Sequence, residues 1–229
     1  GGGLSRYENE RFTNFATEHG LRSHFVWAIA EDLEGRIWVG TGRPAGLYLF
    51  HDGVFTSFGR RKGLPIEGGV RAIFADREGN LWIGGDGGGL GRFRDGAFSS
   101  FTVRDGLPSN LIRAIDQDRE GNLWIGTNDG LCRFRQGQFQ RYTKEDGLAH
   151  NAVYAIHQDS EGVIWFGTQG GLTRRVDGRF RSYTTRDGLF QNVIYRILED
   201  GEQNLWMSSN RGIFSVSKKA FADIDQGRL

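Results

Sequence analysis

Five tryptophans in this chain stand at nearly equal intervals, and that spacing limits the fold more than any other feature. Trp38, Trp82, Trp124, Trp165 and Trp206 lie 44, 42, 41 and 41 residues apart. Five Gly-Leu pairs, Gly20-Leu21, Gly63-Leu64, Gly106-Leu107, Gly147-Leu148 and Gly188-Leu189, keep almost the same step. A period of this size marks a tandem unit that buries its apolar faces against its neighbours. In the clearest copy, four short runs at 112–117, 123–127, 131–134 and 138–142 are separated by turn residues. Such runs, rich in β-branched and aromatic side chains, predict strands. The turn 118–122 (Asp-Arg-Glu-Gly-Asn) joins the first two. Asp52-Gly53, Asp95-Gly96, Gln136-Gly137 and Asp177-Gly178 join the last two strands of their copies as two-residue hairpins. No segment holds a 3.6-residue apolar period, so no helix is expected.

Four antiparallel strands in each unit of ~42 residues describe a propeller blade. The expected fold is therefore all-β: a β-propeller of four-stranded antiparallel blades forming a single domain over 1–229. Five complete blades are expected at about 20–62, 63–105, 106–146, 147–187 and 188–225, behind an N-terminal half-blade at 1–19. The half-blade supplies only third and fourth strands. A seven-bladed ring would need ~290 residues at this period, so the chain reads as a fragment of a larger, seven-bladed propeller. The unpaired half-blade is then expected to pair elsewhere, including on a second copy as a homo-oligomer.

The inner strands show what stacking requires. One column holds Val26, Val70, Ile112, Val153 and Ile194, and another Ile29, Ile73, Ile115, Ile156 and Ile197. Between them lie Ala28, Ala72, Ala114 and Ala155, then Arg196, an exception in a column that favours small residues. The tryptophans are expected to fill the layer between blades.

Composition excludes several classes. The 29 basic and 28 acidic residues nearly cancel, which leaves no electrostatic case for nucleic acid. No apolar run approaches the ~20 residues of a membrane helix, and no basic start leads into an apolar stretch as in a signal peptide. Direct membrane insertion is not expected. A single cysteine, Cys132, permits neither an intrachain disulfide nor a thiolate cluster. The five histidines lack zinc-type spacing, and the Asp-x-Glu-Gly-Asn turns lack the alternating oxygens of a calcium loop. No metal and no cofactor is expected, and the turn aspartates are read as caps on local backbone amides.

The string D-x-E-G-N-L-W-I-G-T-x-x-G-L-x-R-F resembles the two-component regulator propeller repeat. It is matched from Asp118 to Phe134 and from Asp159 to Arg175, from Asp76 to Phe93 with two extra residues, and from Asp32 to Phe50 with an insertion around Pro44. The last copy departs most: Gln203 replaces the turn glycine, Ser208-Ser209 replace Gly-Thr, and the hairpin glycine is missing at 217–221. The resemblance implies a non-catalytic, periplasmic or otherwise extracytoplasmic sensor. Its partners would be the rest of a parent receptor: further blades, an immunoglobulin-like domain and a kinase or cyclase output module. Ligands in that family are frequently carbohydrates.

One column varies while its neighbours stay constant. Two residues before the constant isoleucine stand Trp27, Arg71, Arg113, Tyr154 and Tyr195. Aromatic rings stack on pyranose C–H faces and guanidinium forks grip carboxylates, so these residues are candidate ligand contacts at one mouth of a propeller. His150 is a further candidate, with His24, Asn110, Asn151 and Asn192 as polar neighbours. Two alternatives remain open at this point: a lyase- or hydrolase-type propeller enzyme with its site at the channel mouth, and a structural or protein-docking scaffold. His157 and Glu199 lie on inner strands but in different columns, and no repeated ligand set supports catalysis.

Overall fold

The hairpins behave as their sequences require. Asp52, Asp95, Gln136 and Asp177 take φ of 48–50°, and the glycines that follow take φ of 78–81°. Two successive residues of positive φ turn the chain with the twist of the flanking strands. The computed structural model describes residues 2–43 and 46–228, so the insertion around Pro44 lies outside the described residues.

Strands β1 (Leu4–Glu8) and β2 (Arg11–Phe15) pair as a two-stranded sheet, the expected half-blade. Blade one contains β3 (Val26–Glu31), β4 (Ile37–Thr41), β5 (Leu47–His51) and β6 (Val54–Phe58). Blade two contains β7 (Val70–Ala75), β8 (Leu81–Gly85), β9 (Leu90–Arg94) and β10 (Ala97–Phe101). Blade three contains β11 (Ile112–Gln117), β12 (Leu123–Thr127), β13 (Gly130–Arg135) and β14 (Gln138–Tyr142). Blade four follows with β15 (Val153–Gln158), β16 (Ile164–Thr168), β17 (Leu172–Val176) and β18 (Arg179–Tyr183). Blade five has β19 (Arg196–Glu199), β20 (Asn204–Ser209) and β21 (Gly212–Ser217). Within each sheet the strands follow chain order, and neighbouring strands pair antiparallel. The fold is thus an all-β propeller architecture of blades preceded by a hairpin.

The chain divides into two units, one up to residue 115 and one from residue 116 onward. In the first, Trp38 packs edge-on against Phe58 of its own blade at 5.0 Å and Phe93 of the next at 5.6 Å. Around it Val70 and Ile83 are fully buried. In the second, Trp124 stacks on Tyr142 and packs on Phe166. There Trp165 lies in a cluster with Tyr183, Ile194, Ile197, Leu205 and Met207. The tryptophans of these blades do fill the layers between sheets. Arg92, Arg133 and Arg174 lie opposite a tryptophan on the neighbouring strand and are only half exposed. They belong to the edge of that layer rather than to a fully solvated face.

The expectation of no helix fails in blade five. Where a fourth strand is predicted, the chain forms α1 (Lys218–Asp225), and the sheet has three strands. The cause is local. Lys218-Lys219 replace the Asp-Gly pair, neither residue favours positive φ, and Lys-Lys-Ala-Phe-Ala is rich in helix formers. The Ser217 side chain accepts the Ala220 N–H and so caps the helix. Phe221 still occupies the sequence column of Phe55, Phe98, Phe139 and Phe180. It is fully buried, 4.9 Å from the Trp165 ring and 4.8 Å from that of Tyr183. A helix has delivered the side chain that a strand delivers in the other blades.

Candidate functional site

A constant clamp holds each blade in register. The aspartate six residues before each of the five repeat tryptophans accepts its indole N–H, at 2.6 Å for Asp32–Trp38 and 2.7 Å for Asp76–Trp82. The same bond is 2.7 Å for Asp118–Trp124 and 2.8 Å for both Asp159–Trp165 and Asp200–Trp206. The other carboxylate oxygen accepts backbone N–H groups two and four residues on, as at Glu120 and Asn122. These aspartates are turn caps as expected, and the indole bond is an addition that spacing alone does not reveal. At Asp32, burial pushes the carboxyl upward, but the bonds from Trp38 and Arg36 outweigh it and hold the group below its ordinary range.

Against this constant frame the variable column can be placed unit by unit. In the first unit, the Trp27 ring lies against bare backbone. A Cβ on Gly69 would come within 2.2 Å of the ring, and one on Gly42 within 3.0 Å. The Arg71 guanidinium sits over the same ring, 4.0 Å from its centroid. Arg71 also donates from Nε to Asp86 Oδ1, and Arg113 Nη1 lies 3.8 Å from that oxygen. The three predicted residues of this unit are therefore brought together, with Asp86 as the unpredicted centre. Asp86 is fixed in turn: its N–H donates to the Gly69 carbonyl at 3.1 Å. This end of the column is a partly exposed, charge-rich cluster in which the indole already carries a cation.

In the second unit the column is aromatic. Tyr154 and Tyr195 lie 5.5 Å apart with their planes tilted by 32°. The Tyr154 hydroxyl donates to Gln169 Oε1 at 3.4 Å, and Tyr195 is exposed. His150 is spent differently. Its Nδ1 accepts the Ala152 N–H at 2.9 Å, the role that Ser109 Oγ plays for Leu111. Asn110, Asn151 and Asn192 each accept a backbone N–H seven residues earlier, from Val103, Lys144 and Thr185. These polar neighbours lock the segments that cross between blades.

Sequence reasoning missed the residues facing the column. Gly42, Asp86 and Gln169, each four residues after a clamp tryptophan, touch Trp27, Arg71 and Tyr154 respectively. A signal was present. That position reads Gly42, Asp86, Asn128, Gln169 and Asn210, and it varies as the first column does while the Trp-x-Gly frame around it changes little.

A second polar cluster lies in blades four and five. Lys218 Nζ is 2.6 Å from Glu199, 3.4 Å from Glu161 and 3.7 Å from Asp159. Glu199 also receives the Ser160 N–H and hydroxyl at 2.6 and 2.7 Å. Burial works against the Glu199 carboxylate, but the bonds from Lys218 and Ser160 outweigh it and lower its pKa. His157 Nε2 is buried with no hydrogen-bond partner, and burial holds the imidazole below its ordinary 6.5 despite the nearby Glu199 and Asp159 charges. Cys132 is buried, which pushes its thiol up to about 12 and leaves it unreactive at neutral pH. Among the described residues no group of His, Cys, Asp and Glu could hold a metal ion, and no helix is long and apolar enough to cross a membrane.

Comparison with known proteins agrees with this architecture. The family described as two component regulator propeller matches residues 20–43, 63–87, 106–129, 147–170 and 188–211, together more than half of the chain. Among solved structures, the chain is similar to an extracellular domain assigned to a hybrid two-component system of B. thetaiotaomicron. The TM-score is 0.62 at 26% identity, over 95% of this chain and 34% of that one. A second such domain from the same organism gives 0.63 at 22% identity, over 97% and 37%. The chain thus spans about a third of these relatives' length. An inactive variant of virginiamycin B lyase from Staphylococcus aureus gives 0.74 at 17% identity, over 92% and 71%, a likeness of fold alone. No curated protein matches the sequence.

Proposed function

The chain belongs to the two-component regulator propeller family, and from that premise we propose that it is the ligand-sensing, non-catalytic propeller of an extracytoplasmic receptor. The observation that carries this reading is the pair of facing columns. Trp27 with Gly42, Arg71 with Asp86, and Tyr154 with Gln169 change together on a frame that otherwise repeats. A scaffold that only spaced other domains would have no use for such paired variation at one place in blades one, two and four. The chemistry suits a carbohydrate. Tyr154 and Tyr195 offer a ring platform in one unit, and Arg71 and Arg113 offer cationic donors in the other. The reading favours binding because the polar groups of the column are held in place, Arg71 by Asp86 and the His150 Nδ1 by its turn.

Signal output would follow from a ligand that binds one arrangement of the receptor better than another. The test is calorimetric titration of the chain with neutral and uronic-acid oligosaccharides. Binding of at least one class is expected; Tyr195→Ala should weaken binding of neutral sugars about tenfold or more, and Arg71→Ala that of uronic acids about tenfold or more, as the loss of one stacking or charge-assisted contact implies. Absence of heat with every oligosaccharide, or affinity untouched by both substitutions, would overturn the proposal.

A further inference from the structure

The outward face of blade five differs from its counterparts at the points where the next blade would have to approach. In blade four that face begins with a row running Ala155, Gly167, Leu172 across three paired strands. The same row is Ala72, Gly84, Leu90 in blade two and Ala28, Gly40, Leu47 in blade one. The glycine is a socket. A Cβ there would lie 2.7 Å from Val70 in blade one, 2.3 Å from Ile112 in blade two and 2.8 Å from Ile194 in blade four. At Gly126 of blade three it would lie 2.9 Å from Val153. Each following inner strand thus presses an aliphatic residue onto bare backbone, a contact no larger residue permits.

In blade five this row is Arg196, Ser208, Ile213, again directly paired across the strands. Arg196 replaces the alanine, and the Cβ of Ser208 stands where the glycine leaves bare backbone in the other blades. The next row, Leu198, Trp206, Ser215, carries two large apolar side chains. Leu198 is 67% exposed, Trp206 45% and Ile213 73%, whereas Trp165 in blade four is 2% exposed. Arg196 has no ion-pair partner among the described residues. The nearest carboxylate in sequence on this side, Asp200, is committed to the Trp206 indole, to Asn204 and to its turn amides.

We propose that this face is a docking surface for a protein partner unlike a further repeat of this kind, one that presents an apolar patch edged by a carboxylate. The geometry of the repeat interface defines what is refused. An inner strand with valine or isoleucine at the pressing position has no socket to enter. The exposed residues define what is accepted: Leu198, Trp206 and Ile213 need apolar cover, and Arg196 beside them needs an acceptor anion. Repeat stacks commonly change composition on a face that meets something other than another repeat, and in blade five the change includes the positions that matter for stacking.

An apolar aromatic anion, 8-anilinonaphthalene-1-sulfonate, is the probe for this chemistry, with uncharged Nile red beside it. The folded chain is expected to bind the sulfonate saturably. Arg196→Glu should weaken that binding about tenfold and leave Nile red unchanged, and the double change Leu198→Ser and Ile213→Ser should abolish both signals. Thermal melts of each variant guard against loss of folding. Sulfonate binding indifferent to both variants would overturn the proposal. So would sedimentation showing a wild-type dimer that dissociates on the double change, since a second copy would then be the occupant.

Discussion

Blades four and five carry the same clamp in different surroundings. Asp159 holds the Trp165 indole at 2.8 Å and Asp200 holds that of Trp206 at 2.8 Å, yet one ring is buried and the other is nearly half exposed. The clamp is therefore a local product of turn and strand, and it forms whether or not a neighbour covers it. Cover is a separate contribution. For Trp165 it comes from Ile194 and Ile197 of blade five and from Phe221 on α1. The difference teaches that the repeat encodes its own hairpin, while stability depends on what is laid over it.

The largest expected effect breaks this comparison directly. Trp165→Ala should destabilise the chain by ~3–5 kcal/mol in chemical denaturation, the usual cost of emptying a fully packed aromatic site. Trp206→Ala should cost roughly half of that or less, because much of its ring is already in water. Equal losses would mean that the clamp, not the cover, carries the stability.

A smaller effect sharpens the account of the cover. Helix α1 is tied at both ends. Lys218 enters the pocket of Glu199, Asp159 and Glu161, and Asp225 receives the Tyr183 hydroxyl at 2.9 Å with Arg174 and Arg181 alongside. Lys218→Ala removes the counter-charge of two carboxylates, Glu199 and Asp159, that have little solvent, and a loss of about 2–3 kcal/mol is expected. Lys218→Arg should recover part of it. Limited proteolysis after Gly212 should report the released helix, and resistance equal to wild type would show that Phe221 alone retains it.

Much of the blade was legible in the sequence because its parts are local. Trp spacing, Asp-Gly pairs and alternating inner strands each act over a few residues, and the structure follows them. The helix was not legible for an instructive reason. Phe221 falls in register with four strand phenylalanines, so side-chain periodicity points to a strand. The deciding signal was backbone chemistry at 218–219, where no residue favours the positive φ of a two-residue turn. The candidate site was half legible. Trp27, Arg71, Arg113, Tyr154 and Tyr195 stand out as variation in one strand. Asp86 and Gln169 reach them from the end of the neighbouring strand, at a distance that only pairing defines.

The smallest expected effect concerns pH. The folded pKa of His157 is depressed by burial, so its contribution to stability is fully present above its ordinary 6.5 and is lost as the pH falls through the folded value. The melting temperature should therefore decline as the pH falls below about 6.5, and His157→Gln should flatten that decline. An unchanged slope in the variant would place the titration elsewhere, with the carboxylates of the Lys218 pocket as the next groups to examine.

The indole bonds also give the molecule an internal set of clocks. Of its six tryptophans, five donate their ring proton to a carboxylate and Trp27 stands outside that set. Each bonded proton can exchange with deuterated water only when its hairpin opens, so four buried signals and one half-exposed signal time the opening of their blades separately. A partner that covers blade five would slow the Trp206 proton while leaving its four counterparts at their own rates.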